Sequence, residues 1–128
     1  MNDILIEGVG ALKFKGDHWE CFAIPTVIGP VDLQIDSKSI DEFFVANKIK
    51  ALFKQIEIID NKARRYLRHH VSEDELIEFG ELIEPSILFS KQDNEWKLTL
   101  FYSCSNNNEI DCGVEFKDFE PFDLIIAD

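Results

Sequence analysis

Apolar residues recur at spacings of three and four between residues 47 and 71, the only long stretch with a helical period. This repeat predicts an amphipathic helix with one buried stripe. Asn47 is a candidate N-cap, while the run from Ser39 to Glu42 is an alternative capping signal that would start the helix earlier. No proline or glycine interrupts residues 31–79, so we expect a continuous helix. The stripe contains Ile49, Leu52, Phe53, Ile56, Ile59, Ala63, Tyr66 and Leu67.

Alternating or continuous apolar runs bounded by turn residues lie on both sides of the helix. Residues 4–15 (bent around Gly8 and Gly10), 18–27 and 31–36 predict three strands of an antiparallel meander. Ser72 can cap a short second helix that ends at Gly80. Residues 86–91, 96–104, 113–117 and 124–127 then predict about four more strands. We therefore predict one α+β domain over residues 1–128, a mostly antiparallel sheet packed against the long helix.

The net charge of -12 is unevenly distributed. Residues 1–68 hold ten acidic and ten basic side chains, whereas residues 69–128 hold fifteen acidic and three basic ones. The acidic half would repel phosphates, which argues against nucleic acid as its ligand. It favours a basic protein partner, although simple solubility is the plainer explanation of an acidic surface.

Composition also indicates the compartment. The chain has three cysteines, no stretch long and apolar enough to span a membrane, and no signal-peptide pattern at its start. These features predict a cytoplasmic protein that does not enter a membrane. Cys104 and Cys112 could face each other across a hairpin and would be placed for a disulfide in an exported protein. In a reducing compartment, buried or half-buried free thiols are the expected state.

The sequence contains no recognisable catalytic or cofactor motif. His69-His70 cannot both ligate one metal from a regular helix, and no zinc, calcium, phosphate-loop or dinucleotide spacing is present. Cys112 lies among acidic neighbours that would raise the pKa of its thiol, which disfavours nucleophilic catalysis. We predict no catalytic residues, no metal and no cofactor, and we expect a protein that is not an enzyme.

The order of features resembles a class of known proteins. It comprises an early strand with Trp19, the strand VDLQID, a helix ending in Ala63, Tyr66 and Leu67, the hairpin EWKLTLFYSC…DCGVEF and the final LIIAD. This order is similar to small acidic bacterial domains of unknown function, some of which look like immunity proteins of toxin systems. The resemblance implies a bacterial cytoplasmic α+β protein whose surface binds another protein.

Three hypotheses follow for the function. The first is a non-enzymatic protein-binding module, such as an immunity or accessory protein, with an acidic C-terminal surface that meets a basic partner. The second is a small-molecule-binding protein or enzyme with a pocket between helix and sheet, gathering groups such as His18, His69 or Tyr102. The third is a homodimer formed through a sheet edge or aromatic face. The acidic surface of the first hypothesis comprises Glu109, Asp111, Glu115, Asp118, Glu120 and Asp123.

Overall fold

A computed structural model of the chain describes residues 2–127. Four strands come first: β1 (Ile4–Ile6), β2 (Gly10–Phe14), β3 (Trp19–Ile24) and β4 (Val31–Asp36). A helical crossover follows, made of α1 (Glu42–Phe44), a π-helical stretch (Val45–Lys50), α2 (Ala51–Lys54), α3 (Ile56–His70) and α4 (Glu73–Phe79). Four longer strands complete the chain: β5 (Leu82–Gln92), β6 (Glu95–Cys104), β7 (Asn107–Lys117) and β8 (Glu120–Ala127).

The eight strands form one sheet in sequence order, from β1 to β8. Neighbouring strands are antiparallel except at the centre, where β4 and β5 are parallel. Parallel neighbours require a crossover connection, and the helices supply it. Two of the C-terminal hairpins close with two-residue turns at positive φ, Asp93-Asn94 and Asp118-Phe119, which match the twist of antiparallel strands. The predicted α+β class is confirmed.

The N-terminal part has four strands, although the sequence predicted three. The predicted first strand folds back on itself as the β1–β2 hairpin, with Ile4 opposite Leu12. Gly8 makes this reversal with φ of 79°, a left-handed backbone angle that glycine adopts without steric cost. The Val9 N–H donates to the Ile6 carbonyl at 3.1 Å and closes the turn.

The helical crossover starts before Asn47, the first of the two predicted N-caps, and it is not one continuous helix. Asp41 is the N-cap, because its carboxylate accepts the Phe44 N–H at 2.8 Å. The prediction of Asn47 as N-cap is wrong, since this residue lies inside the π-helical stretch and its side chain donates to the Phe43 carbonyl. Gln55, at φ -124° and ψ 28°, breaks the helix before α3.

The π-helical stretch and the residue before it place two side chains in the core. A π-helix pairs residues five apart, so it brings Phe44 and Ile49 onto one face of the crossover. Both side chains are buried there, at 3% and 0% exposure. The Phe44 ring packs on Phe89 and Trp96 of the sheet, with centroids 5.2 and 4.2 Å away. The π-helical stretch therefore accompanies the burial of both side chains against the sheet.

The core lies between the helices and one face of the sheet. Paired positions form two apolar rows across the sheet, Leu33–Ile87–Leu100–Val114 and Ile35–Phe89–Leu98–Phe116. Leu52, Ile59 and Leu67 of the predicted stripe are fully buried, whereas Phe53 and Tyr66 are half-buried at its margin. Each fully buried aliphatic side chain contributes roughly 1.5–3 kcal/mol through removal of apolar area from water.

The short helix α4 begins and ends where the sequence predicts. Ser72 accepts the Glu75 N–H at 3.2 Å, and its hydroxyl donates back to the Glu75 carboxylate at 3.0 Å. Gly80 ends the helix with φ of 74°. A Cβ at Gly80 would lie 2.5 Å from the Asn106 side chain, so the joint between α4 and β5 excludes any larger residue. Within residues 2–127, no helix combines the length and apolarity needed to cross a bilayer.

Candidate functional site

One face of the sheet is packed by the helices, and the other face is the candidate site. We call the second surface the open face, defined by four paired rows of residues on β4–β8, two of them long and two short. Since side chains alternate between faces, these rows lie opposite the apolar core rows. The two long rows are Gln34–Leu88–Thr99–Glu115–Asp123 and Asp32–Ser86–Phe101–Gly113–Ile125. The two short rows are Asp36–Ser90–Lys97 and Ser103–Asp111–Ala127.

Acidic side chains flank the open face on both sides. Asp32 and Asp36 on β4 are exposed along one flank. Asp111 on β7 and Asp123 on β8 are exposed along the other. Between the flanks lie half-buried apolar side chains of Leu88, Phe101 and Ile125. With Glu115, these rows carry five carboxylates and the ammonium of Lys97. Beyond Lys97, an exposed ion pair joins Lys117 of β7 to Glu95 of β6 at 3.1 Å.

The side chains at the centre of the open face are buried, although no described helix covers them. Thr99 and Glu115 are only 2% and 9% exposed. The Glu115 carboxylate, on a side chain only 11% exposed, is paired with the half-buried Lys97 ammonium at 2.8 Å. The Phe101 ring lies over Gly113, where an added Cβ would come within 2.7 Å of it. The centre is therefore a packed, shallow surface rather than a pocket.

The structure distributes the six predicted acidic residues among different surroundings. Asp111 and Asp123 are exposed on the open face, and Glu109 is exposed on the same strand as Asp111. Asp118 lies in the β7–β8 turn. Glu115 is held by Lys97 as described. The carboxylate of Glu120 meets the Lys62 ammonium of α3 at 2.5 Å. Asp111 and Asp123 are thus the members best placed for contact with a partner.

Sequence reasoning did not include Asp32 and Asp36 in this surface. Their alternation with Val31, Leu33 and Ile35 already indicated that they face away from a core. The missing information was the parallel pairing of β4 with β5, which places them beside the C-terminal strands. That pairing depends on tertiary contacts across the whole crossover and has no local signal in the chain.

The groups named for a helix–sheet pocket are not brought together. Tyr102 is 1% exposed inside the helix–sheet interface, where its hydroxyl donates to the Asp60 carboxylate at 2.5 Å. His69 is exposed at the end of α3, and His18 lies in the β2–β3 turn between Asp17 and Glu20. The Tyr102 hydroxyl is enclosed by Asp60 and Arg64 and is not open to a ligand.

Asp60 anchors a buried polar cluster with Tyr102 and Arg64. Its carboxylate also accepts two bonds from the Arg64 Nε, each 3.1 Å long. The Arg64 guanidinium lies over the Tyr102 ring, 4.7 Å from its centroid. Burial, followed by the hydrogen bond to Asp60, raises the pKa of Tyr102 far above its ordinary value. Because the carboxylate is fully partnered, the cluster is accommodated in the core.

The thiols of Cys104 and Cys112 lie 3.4 Å apart, and both are buried and free. The predicted juxtaposition across a hairpin is confirmed. Burial raises the pKa of the Cys112 thiol, and the neighbouring Cys104 raises it further, which keeps the sulfur in its weakly nucleophilic protonated form. Over residues 2–127, no three His, Cys, Asp or Glu side chains are grouped in a way that could hold a metal ion.

Compared with protein-family models, curated proteins and solved structures, the chain matches none of them.

Proposed function

We propose that this chain is a non-enzymatic module that binds a basic protein on the open face. The observation that supports the proposal is the charge of that face, which has five carboxylates and one ammonium in its paired rows, besides the mutually neutralising Glu95–Lys117 pair. Exposed Asp32, Asp36, Asp111 and Asp123 would contact the partner, while the apolar side chains between them supply area that can be dehydrated on binding. The packed centre favours a broad protein surface over a small ligand.

The proposed setting is the bacterial cytoplasm, as the resemblance to immunity-type proteins implies. An immunity protein must bind its toxin quickly, and complementary charge mainly accelerates association and selects the partner. An acidic face of this kind suits that task. Nucleic acid is not a proposed ligand, because the face would repel phosphates.

Affinity capture from a native-host extract tests the proposal. The wild-type protein is compared with the charge-reversal variant Asp32→Lys/Asp111→Lys/Asp123→Lys and with the control Glu73→Lys/Asp74→Lys/Glu78→Lys. The control changes the charge by the same amount at exposed positions on α4, outside the open face. We expect a basic protein to be retained by wild type and control and lost by the open-face variant.

Purified components then give the decisive measurement. Association of the captured protein with wild type should slow by about tenfold or more between low and moderately high salt, as expected for charge-steered encounters. Equal capture by all three proteins, or an association rate that does not respond to salt, would rule out binding through the charge of the open face.

A further inference from the structure

A separate groove lies on the helix side of the molecule, where α3, α4 and the start of β5 meet. It has a volume of about 500 Å³. This is within the range of roughly 300–1,000 Å³ typical of small-molecule sites. Leu67, Leu76, Phe79 and Leu82 give it an apolar lining. Leu67 and Phe79 are buried, and the other two are half-buried, so the lining belongs to the fixed core rather than to a loop.

Two arginines form one rim of the groove, Arg64 and Arg68. They are four residues apart on α3 and therefore share a face of the helix. Arg64 is held in place, because its Nε bonds the Asp60 carboxylate and its Nη2 donates to the Leu82 carbonyl at 3.1 Å. Less side-chain freedom is lost when a ligand meets a group already ordered in this way. Arg68 is exposed and makes no ion pair within the described part of the chain.

The charges around the groove define the ligand that it fits. Guanidinium groups match the planar geometry of a carboxylate. Asp60 already neutralises much of Arg64, and Glu81 lies on the groove wall, so the free guanidinium of Arg68 is balanced by one negative charge on a ligand rather than by two or more. We propose that this groove binds a small apolar monocarboxylate, its carboxylate against Arg68 and Arg64 and its apolar body on the leucine and phenylalanine lining.

The test uses decanoate below its micelle-forming concentration, with 1-decanol as an uncharged probe of similar apolar area. Binding to the full-length protein is followed by amide NMR shifts. We expect decanoate to bind saturably and to shift the amide signals of Leu76, Phe79 and Leu82. The affinity of 1-decanol should be lower than that of decanoate by about tenfold or more. Absence of saturable decanoate binding, or equal binding of the two probes, overturns the proposal.

Arginine variants test which side chain contacts the decanoate carboxylate. Arg68→Ala should weaken decanoate binding about tenfold. Arg65→Ala is the matched control, because Arg65 is an exposed neighbour on α3 that does not line the groove. Equal weakening by both variants would mean that only the general charge of α3 acts, which also overturns the proposal. The groove variants change no carboxylate of the open face, and the open-face variant changes no residue that lines the groove, so each proposal can fail without the other.

Discussion

At the scale of single residues, the buried hydroxyl of Tyr102 has a measurable role in stability. Tyr102→Phe leaves the ring in place and removes the hydrogen bond to Asp60. We expect the free energy of unfolding to fall by about 1–3 kcal/mol, because a buried carboxylate loses one of its donors. Urea denaturation at pH 7 measures this loss. Tyr66→Phe, on a half-buried ring of α3, is the control and should change stability by less than about 0.5 kcal/mol.

The same tyrosine predicts the response to alkaline pH. The folded-state pKa of Tyr102 is raised, whereas the unfolded chain releases the proton near the ordinary value of 10.0. The native state therefore binds more protons than the unfolded state above pH 10, and stability falls as the pH rises. Wild type should lose stability more steeply above this pH than Tyr102→Phe. Parallel curves for the two proteins would contradict the assignment.

His18 gives a prediction nearer neutral pH. Hydrogen bonds to Asp17 and then to Glu20 raise its pKa above 6.5. The charged form is thus favoured in the folded state, and its stabilising contribution is complete below pH 6.5 and lost as the pH rises through the folded-state pKa. An NMR titration of the imidazole should give a midpoint above 6.5 in wild type and a lower one in Asp17→Asn. A wild-type midpoint at or below 6.5 would show that the two carboxylates do not stabilise the protonated imidazole.

At the scale of elements, the contact between β6 and β7 depends on an aromatic ring lying over a glycine. Gly113→Ala places a methyl group 2.7 Å from the Phe101 ring, so the ring must move. We expect a loss of about 1–3 kcal/mol in the free energy of unfolding from this overpacking. In the background of Phe101→Ala, the same glycine substitution should cost much less. A double-mutant cycle of denaturation curves measures the difference, and additive losses would exclude direct contact.

Sequence patterns predicted the elements better than their arrangement. Alternation in VDLQID and turn residues around the later apolar runs located the strands, and Ser72 and Gly80 marked α4 because caps act locally. The break at Gln55 was missed, since its residue type permits a helix and no proline or glycine marks the position. Asp60 was also missed as a core residue, because its carboxylate becomes buried only by meeting Tyr102, forty-two positions away. Neither arginine of the groove carries a local signal that distinguishes it from Arg65.

At the scale of the whole molecule, charge and sheet edges determine how the protein meets other copies of itself. The edge strand β8 exposes Phe122 and Ile126, at 50% and 40%. Such an edge can add a strand from a second molecule. Here the Asp123 carboxylate accepts the neighbouring Leu124 N–H at 2.9 Å, and a second copy would bring its own acidic edge. These features oppose pairing between two identical chains.

We therefore expect wild type to be a monomer at tens of micromolar in sedimentation velocity. Asp123→Ala releases the Leu124 N–H and removes the repulsion, and it should raise the fraction of dimer. Asp74→Ala, on exposed α4, is a control with the same change of charge and should leave the protein monomeric. A wild-type dimer would instead support the homodimer hypothesis.

The parallel seam between β4 and β5 determines the order in which this molecule can fold. All the other strand pairs are linked by short connections, so their ladders form by closing short loops. The five paired positions from Asp32–Ser86 to Asp36–Ser90 can form only when the chain closes across residues 37–81. Loop-closure entropy makes this the slowest contact to establish by random search. We therefore expect the two meanders to form early and their union over the helical crossover to set the folding rate.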